Sequence, residues 1–441
     1  MATVQNRSQK ASSSSGITYI IGAGLAGLRC ALELADSGRR VIICEASPHA
    51  GGRCRSYHDP ILKQVLDNGN HLILSGNREV KRYLERIKAS QTLYPASEDG
   101  FPFFDLERNR RYSVRLSSGM IPFWLLSEHR RIPETRLTDY VSAIKLLFCE
   151  KGATMAQCIA KDHPLCRPFW QPLCESVLNT PMESAAASLM KPVLLQCFAR
   201  GMRMTTPIIT RHSLGASLID PALAALETVG ATIRFNHRIR NMAFDTDGKV
   251  IRLEGPEGSI DIADQDRVVL ATPSWIAQKL IPGLSTPGAG LPIVNIHFQP
   301  DYIPKNTALI TGLLGGLSQW VFIRERIASV TISAATYACT LDEETLIKTC
   351  WSEVSRLLYP DLSLQTQQHT PPPCPPYRLV KEKRATFDQS PEAIELRPGP
   401  RSKHGNLYYS GDWIDTGLPA TIEGALTAGR ITARAVITDL S

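Results

Sequence analysis

The feature that most constrains this chain is a spacing of glycines. Gly22, Gly24 and Gly27 fall at G-x-G-x-x-G directly after the apolar run Ile17-Thr-Tyr-Ile-Ile21. Residues 25–37 follow with Ala26, Leu28, Ala31, Leu32, Leu34 and Ala35 at helical spacing. A second apolar run, Arg40-Val-Ile-Ile-Cys44, ends in Glu45. Strand, tight turn, helix and strand closed by an acid form the context in which this spacing holds a dinucleotide. Gly22 permits the turn, Gly24 lets backbone approach a pyrophosphate, and Gly27 lets the helix pack closely while its N-terminus faces the phosphates. Glu45 suits a ribose diol, and so an unphosphorylated adenosine ribose. Taken alone, these residues fit NAD and FAD equally.

Two further stretches bear on that choice. Gly51-Gly52-Arg53, just past the second strand, offers another close backbone approach and a guanidinium fork for pyrophosphate oxygens. Far along the chain, the strand Asn406–Ser410 ends in Gly411-Asp412-Trp413, and Pro419 leads into a helix from about 420 to 436 that contains Ile422, Gly424 and Gly429. An acid at a strand end can bind a ribityl hydroxyl or a diphosphate water, and the helix start can stabilise charge at a flavin's pyrimidine edge. Glycines inside a helix lower its propensity, so close packing against a neighbour is expected at Gly424 and Gly429. Gly312-Leu-Leu-Gly315-Gly316 lacks the fingerprint spacing, so no built-in NAD(P)H site is read there.

Residues 61–76 add Asp67-Asn-Gly-x-His71 between two apolar pieces. Together with Gly22/Gly24/Gly27, Glu45, Gly51-Gly52-Arg53 and Gly411-Asp412, this resembles the FAD-binding half of the amine oxidase and phytoene desaturase superfamily. The Asp-Asn-Gly-x-His form, Pro292-Ile-Val-Asn-Ile-His297, Gln319-Trp-Val-Phe322 and Gly417-x-Pro-Ala-Thr-Ile-Glu-Gly-Ala425 are similar to the hydroxysqualene dehydroxylases within it. The resemblance implies an α/β fold: a Rossmann-like FAD-binding domain of the glutathione-reductase-like type, with an interleaved α+β substrate domain. It implies FAD as cofactor, with Gly22, Gly24, Gly27, Glu45, Gly51, Gly52, Arg53, Gly411, Asp412, Pro419 and Ile422 on its side. It also implies adenine contact near Ile239 and a place for His71 near the flavin ring.

The 441 residues, 43% hydrophobic, allow a large core and more than one domain. The order of motifs divides them into a disordered tail at 1–15, an FAD domain at 16–100, 214–285 and 401–441, and a substrate domain at 101–213 and 286–400. Net charge is +7, but no basic block is interleaved with stacking aromatics, so nucleic acid is not an expected partner. Eleven scattered cysteines without C-x-x-C, and a polar N-terminus without an apolar core, point to reduced thiols in a cytoplasmic protein. No metal site is read. Residues 77–98 read as one helix and 137–202 as helices broken by prolines, with 367–376 a stiff proline connector. In 101–136, Phe101, Phe103, Phe104, Trp124 and the run Met120–Leu126 mix with seven arginines against four acids. That composition fits either a headgroup-level patch, peripheral on the cytoplasmic membrane, or a core segment with a basic rim.

The dehydroxylase resemblance implies hydride delivery from reduced FAD to an allylic carbon of hydroxysqualene as its hydroxyl leaves as water, giving squalene. Expected partners are that substrate and product, a separate electron donor, an anionic membrane surface and the upstream enzymes of squalene synthesis. Loss of hydroxide needs a proton donor, and the allylic cation needs a negative or π-rich surface. His71 fits the acid role by its ordinary pKa, or serves as a loop histidine. Asp67 either donates a proton or orders the Asn68-Gly69 turn. Glu175, among Leu173, Val177 and Leu178, is either a partly buried acid or the outward face of a helix. A carotene desaturase, an amine oxidase and a non-enzymatic isoprenoid-binding protein use the same scaffold and stay open as readings.

Overall fold

The structure, a computed structural model, describes residues 16–97, 100–360 and 371–440. The expected tail at 1–15 and residues 367–370 of the proline connector lie outside the described residues. Ile17–Ile21 is the centre of a five-stranded parallel sheet in the order Thr232–Arg234, Arg40–Cys44, Ile17–Ile21, Arg267–Leu270, Leu407–Tyr409. These strands are near-continuous apolar runs because helices or a second layer cover both faces. On one face the Leu25–Asp36 helix packs along the C-terminal helix Ile422–Leu440, with Leu28, Leu32, Leu426 and Ala433 fully buried between them. The contact is close because a Cβ on Gly429 would sit 2.4 Å from the Ala26 carbonyl oxygen. Gly424 has a different reason: its Cβ would meet the Pro419 carbonyl of its own preceding turn, also at 2.4 Å. The antiparallel strands Asn241–Phe244, Val250–Gly255 and Gly258–Asp261 pack over the opposite side.

A seven-stranded sheet forms the second layer system, in the order Tyr377–Glu382, Ile293–Phe298, Ile327–Ile332, Trp320–Arg324, Ile310–Leu314, Phe101–Asp105, Arg110–Val114. All its pairings are antiparallel except the one joining Ile310–Leu314 to Phe101–Asp105. The Glu343–Leu358 helix, capped by the Asp342 carboxylate on the Thr345 N–H, covers part of it with Leu346, Cys350, Trp351 and Val354. Gly312 lies in a strand of this sheet, where a Cβ would meet the Phe103 ring at 2.5 Å; its glycine makes room for an aromatic, with no nucleotide turn.

Two sequence expectations change. The helix expected over 77–98 stops at Arg86, because Lys88 takes a left-handed conformation and Leu93–Pro95 pairs with Pro207–Thr210 as a strand. That small sheet also takes in Ile73–Leu74. In the stretch 101–136 the apolar residues separate by burial. Phe101, Phe103, Phe104 and Trp124 are buried, whereas Met120, Ile121, Phe123 and Leu126 are exposed, Met120 at 75%. Among the described residues, no helix is long and apolar enough to cross a membrane.

Candidate active site

One cavity of about 860 Å³ runs from the opening glycines into the space between the two sheets. At its first end Gly22 holds a φ of +111°, which places the turn against the Ala271 carbonyl. Gly24 is the N-cap of the Leu25–Asp36 helix, offers no side-chain cap, and has nothing within 4 Å of where a Cβ would stand. The helix's first amides thus face an open cradle, which suits an anionic group. Gly27 is set back from the cavity, and its Cβ would sit 2.0 Å from the Gly22 carbonyl oxygen. Gly51 donates its N–H to the Ala23 carbonyl at 2.9 Å and, with Gly52, lies in the left-handed region beside Gly24.

Glu45 lines the same wall. Its carboxylate accepts the Ala23 N–H at 2.7 Å and the Ser47 N–H at 2.9 Å, so it braces the glycine turn while facing the cavity. Ile239, buried, lines the cavity beside Arg238 and Glu45. Arg53 is not a free fork: it donates to Asp412 at 2.7 Å and to the Ala385 carbonyl at 2.8 Å. This ion pair draws the Gly411-Asp412 strand end onto the glycine loop, and Pro419 and Ile422 complete that wall. The donor set fits a flavin dinucleotide: bare backbone and a helix start for phosphates, one carboxylate for a diol, and a second helix start beyond Pro419.

His71 lies where the two regions meet. Its Nδ1 donates to the Gly69 carbonyl at 3.0 Å, which leaves Nε2 toward Cys54 Sγ at 4.0 Å. Burial pulls the imidazole pKa down, but Cys54, the Gly69 carbonyl and Asp67 outweigh it and push it up to about 9. Cys54 was not singled out from sequence; its position directly after Arg53 in the glycine loop was the available signal.

Asp67 and Glu175 do not take the catalytic places the sequence offered them. Asp67 is buried with its carboxylate fully engaged, accepting from Ser56 Oγ at 2.6 Å, Leu214 N at 2.9 Å and Arg324 at 2.6 Å. It neither lines the cavity nor orders the Asn68-Gly69 turn; it clamps one sheet system to the other. Glu175 turns toward Gln171 and Gln319, at 3.0 and 2.7 Å, while Leu173, Ser176 and Val177 face the cavity. Burial raises the Glu175 pKa, and its link to the cavity is indirect, through Gln319 to Ser333 on the wall.

The far arm is apolar and aromatic. Phe101 stacks on Phe198, Phe169 meets Phe198 edge-on at 5.8 Å, and Phe103 leans on Trp320 at 5.5 Å. Polar groups reappear at the junction with the glycine end, where Asn70, Asn295 and Thr331 line the wall. Sequence reasoning missed these three. An asparagine inside the apolar run Ile293–Phe298 was the usable hint, since a buried polar residue is the informative exception in a strand. Among the described residues no cluster of His, Cys, Asp and Glu could hold a metal.

Comparison with known proteins gives the lineage. A family model, flavin containing amine oxidoreductase, matches residues 25–437. The hydroxysqualene dehydroxylase of Zymomonas mobilis is 38% identical over 420 residues, 95% of this chain and 98% of that protein. The hydroxysqualene dehydroxylase of Sinorhizobium fredii is 36% identical, covering 93% and 96%. Among solved structures, an oxidoreductase from Methanosarcina mazei superposes with a TM-score of 0.69 at 13% identity, over 96% of this chain and 100% of that one, a likeness of fold. The chain belongs to the flavin containing amine oxidoreductase family, in the FAD-dependent amine oxidase and phytoene desaturase superfamily of oxidoreductases.

Proposed function

We propose that the protein is a hydroxysqualene dehydroxylase that uses FAD to convert a C30 allylic alcohol to squalene with loss of water. The observation that carries this reading is the single cavity that joins the glycine cradle to an aromatic-lined arm. Similarity to dehydroxylases over nearly the whole chain supports the choice of substrate.

In this reading Gly24, Gly51, Gly52 and Gly411 give backbone access for FAD, Glu45 takes the ribose, and Ile239 packs by the adenine. The Arg53–Asp412 pair holds the diphosphate edge, and the helix start at Ile422 favours negative charge on the ring. When bound and reduced, the flavin supplies the hydride. His71 holds the proton: its Nδ1–H is committed to Gly69, so Nε2 is the nitrogen that can hand a proton to the departing oxygen, with Cys54 beside it. Phe103, Trp320 and Phe322 offer π faces to the developing allylic cation, and the apolar lining keeps out water that would capture it.

A separate donor reduces the flavin in this scheme. Met120, Ile121, Phe123, Leu126 and Phe148 are exposed, as are Arg130 and Lys145, a mixture suited to an anionic bilayer, where the substrate would reside and the upstream enzymes deliver it. The test is anaerobic incubation of dithionite-reduced holoenzyme with hydroxysqualene. Flavin reoxidation matched one for one by squalene is the expected result, and no squalene defeats the reading. His71→Ala should keep flavin bound and slow the reaction roughly 10²- to 10⁴-fold.

A further inference from the structure

Asn295 lies on the strand Ile293–Phe298, directly opposite Thr331 on Ile327–Ile332. The Thr331 hydroxyl donates to Asn295 Oδ1 at 2.9 Å, and the backbone N–H of Asn70 points to the same oxygen at 3.4 Å. A backbone N–H can only donate, so the asparagine oxygen must face it, and Asn295 Nδ2 is turned the other way. With its own proton given to Asn295, the Thr331 oxygen accepts from Asn70 Nδ2 at 3.0 Å. Asn70 therefore presents its Oδ1 away from the chain of bonds. The result is one amide donor, Asn295 Nδ2, and one amide acceptor, Asn70 Oδ1, with no protein hydrogen bond among the described residues, both on residues that line the cavity.

Neighbouring asparagines differ. Asn179 spends its side chain on Leu291, Thr386 and Ala334, and Asn68 turns its amide to Glu382. The Asn70–Thr331–Asn295 group is held by its own bonds with a donor and an acceptor left over. Both amide atoms belong to residues on the cavity wall, so together they suit a ligand atom that both donates and accepts. An alcohol oxygen does both; a hydrocarbon does neither. The group lies next to His71, whose Cε1 and Asn295 Nδ2 flank the same side of Gly69.

We propose that Asn70, Thr331 and Asn295 form a hydroxyl-binding subsite that seats the leaving oxygen of the alcohol beside His71 and selects a hydroxylated isoprenoid over the parent hydrocarbon. This rests on the dehydroxylation reading and adds the residues that set its specificity. A site built to hydrogen-bond a hydroxyl rejects analogues lacking it far more strongly than an apolar pocket rejects an added group.

The experiment is titration of oxidised, flavin-loaded enzyme, which does not turn over, with hydroxysqualene and with squalene, followed by perturbation of the flavin absorbance. Wild type should bind the alcohol at least about ten-fold more tightly than the hydrocarbon. Asn295→Leu and Asn70→Leu should weaken alcohol binding by roughly ten- to hundred-fold while changing squalene binding by less than about three-fold. Thr331→Val should lose the preference and Thr331→Ser should keep it, which separates the hydroxyl's role from a packing role. Flavin-replete variants that retain the wild-type preference, or a wild type that binds both ligands equally, overturn the subsite. A wild type that binds neither ligand overturns the dehydroxylation reading itself, and the subsite with it.

Discussion

At the glycine end the cavity wall is gathered largely from glycine backbone within residues 22–53 and near residue 411; in the far arm it is side chains from three parts of the chain. Gly24 and Gly52 contribute by lacking a Cβ, whereas Phe101, Phe169, Phe198 and Trp320 contribute by their bulk. The first kind of wall suits the diphosphate of the proposed cofactor. The second suits an apolar substrate such as the proposed one. Between them stand His71, with its proton, and Asp67, with its clamp.

The largest expected effect is on that clamp. Asp67→Ala leaves Arg324, 19% exposed, without its carboxylate and strands the Leu214 N–H, so urea unfolding should lose roughly 3–5 kcal/mol. Loss of turnover with unchanged stability would return Asp67 to a catalytic role and blur the division between the two regions. A pair of substitutions sharpens it next. Gly27→Ala forces a Cβ into the Gly22 carbonyl and should cost about 1–3 kcal/mol along with flavin. Gly24→Ala meets no protein atom at an extended φ of −73°, so stability should move by no more than about 1 kcal/mol while flavin affinity falls about ten-fold or more. Equal loss of stability in both would mean that Gly24 serves the turn and not a ligand.

The junction predicts a pH signature. The His71 pKa is raised from 6.5 to about 9 in the folded protein, so protonation favours folding. The proton-linked part of the stability difference between wild type and His71→Ala should be full below about pH 6.5 and be lost as pH rises through about 9. Cys54→Ala should lower the imidazole pKa, read from ring proton NMR; an unmoved titration would remove Cys54 from the pair. The smallest effect on the fold belongs to the outer surface. Phe123 and Phe148 are 62% and 81% exposed, so replacing both with Ser should change stability by about 0.5 kcal/mol or less. Flotation with anionic liposomes should nevertheless be lost, and unchanged flotation would place the membrane contact elsewhere.

The glycine end was legible because its requirements are local. A positive φ at Gly22 and a missing Cβ at Gly24 are written within six residues, and periodicity gave the flanking strand and helix. The pairing of Arg53 with Asp412 was not legible, since each residue alone suited a ligand. Asp67 was misjudged for the same reason: Arg324 is 257 residues away and nothing local announces it. The proposed hydroxyl subsite draws Asn70 to partners 225 and 261 residues distant, so it exists only once the Asn70 loop meets the seven-stranded sheet. Helical periodicity overran at 77–98 because a left-handed Lys88 and a short edge pairing leave little trace in residue type.

The Arg53–Asp412 contact has a consequence for biosynthesis. Its partners are 359 residues apart, and the edge strand Leu407–Tyr409 joins a sheet whose other members are made far earlier. A ribosome will have delivered the glycine turn, the seven-stranded sheet and the whole aromatic arm before the residue that closes the cradle emerges. If the cradle holds the proposed flavin, its closure waits until Asp412 is made, and a product cut short near residue 400 should keep most of its core while holding flavin more weakly.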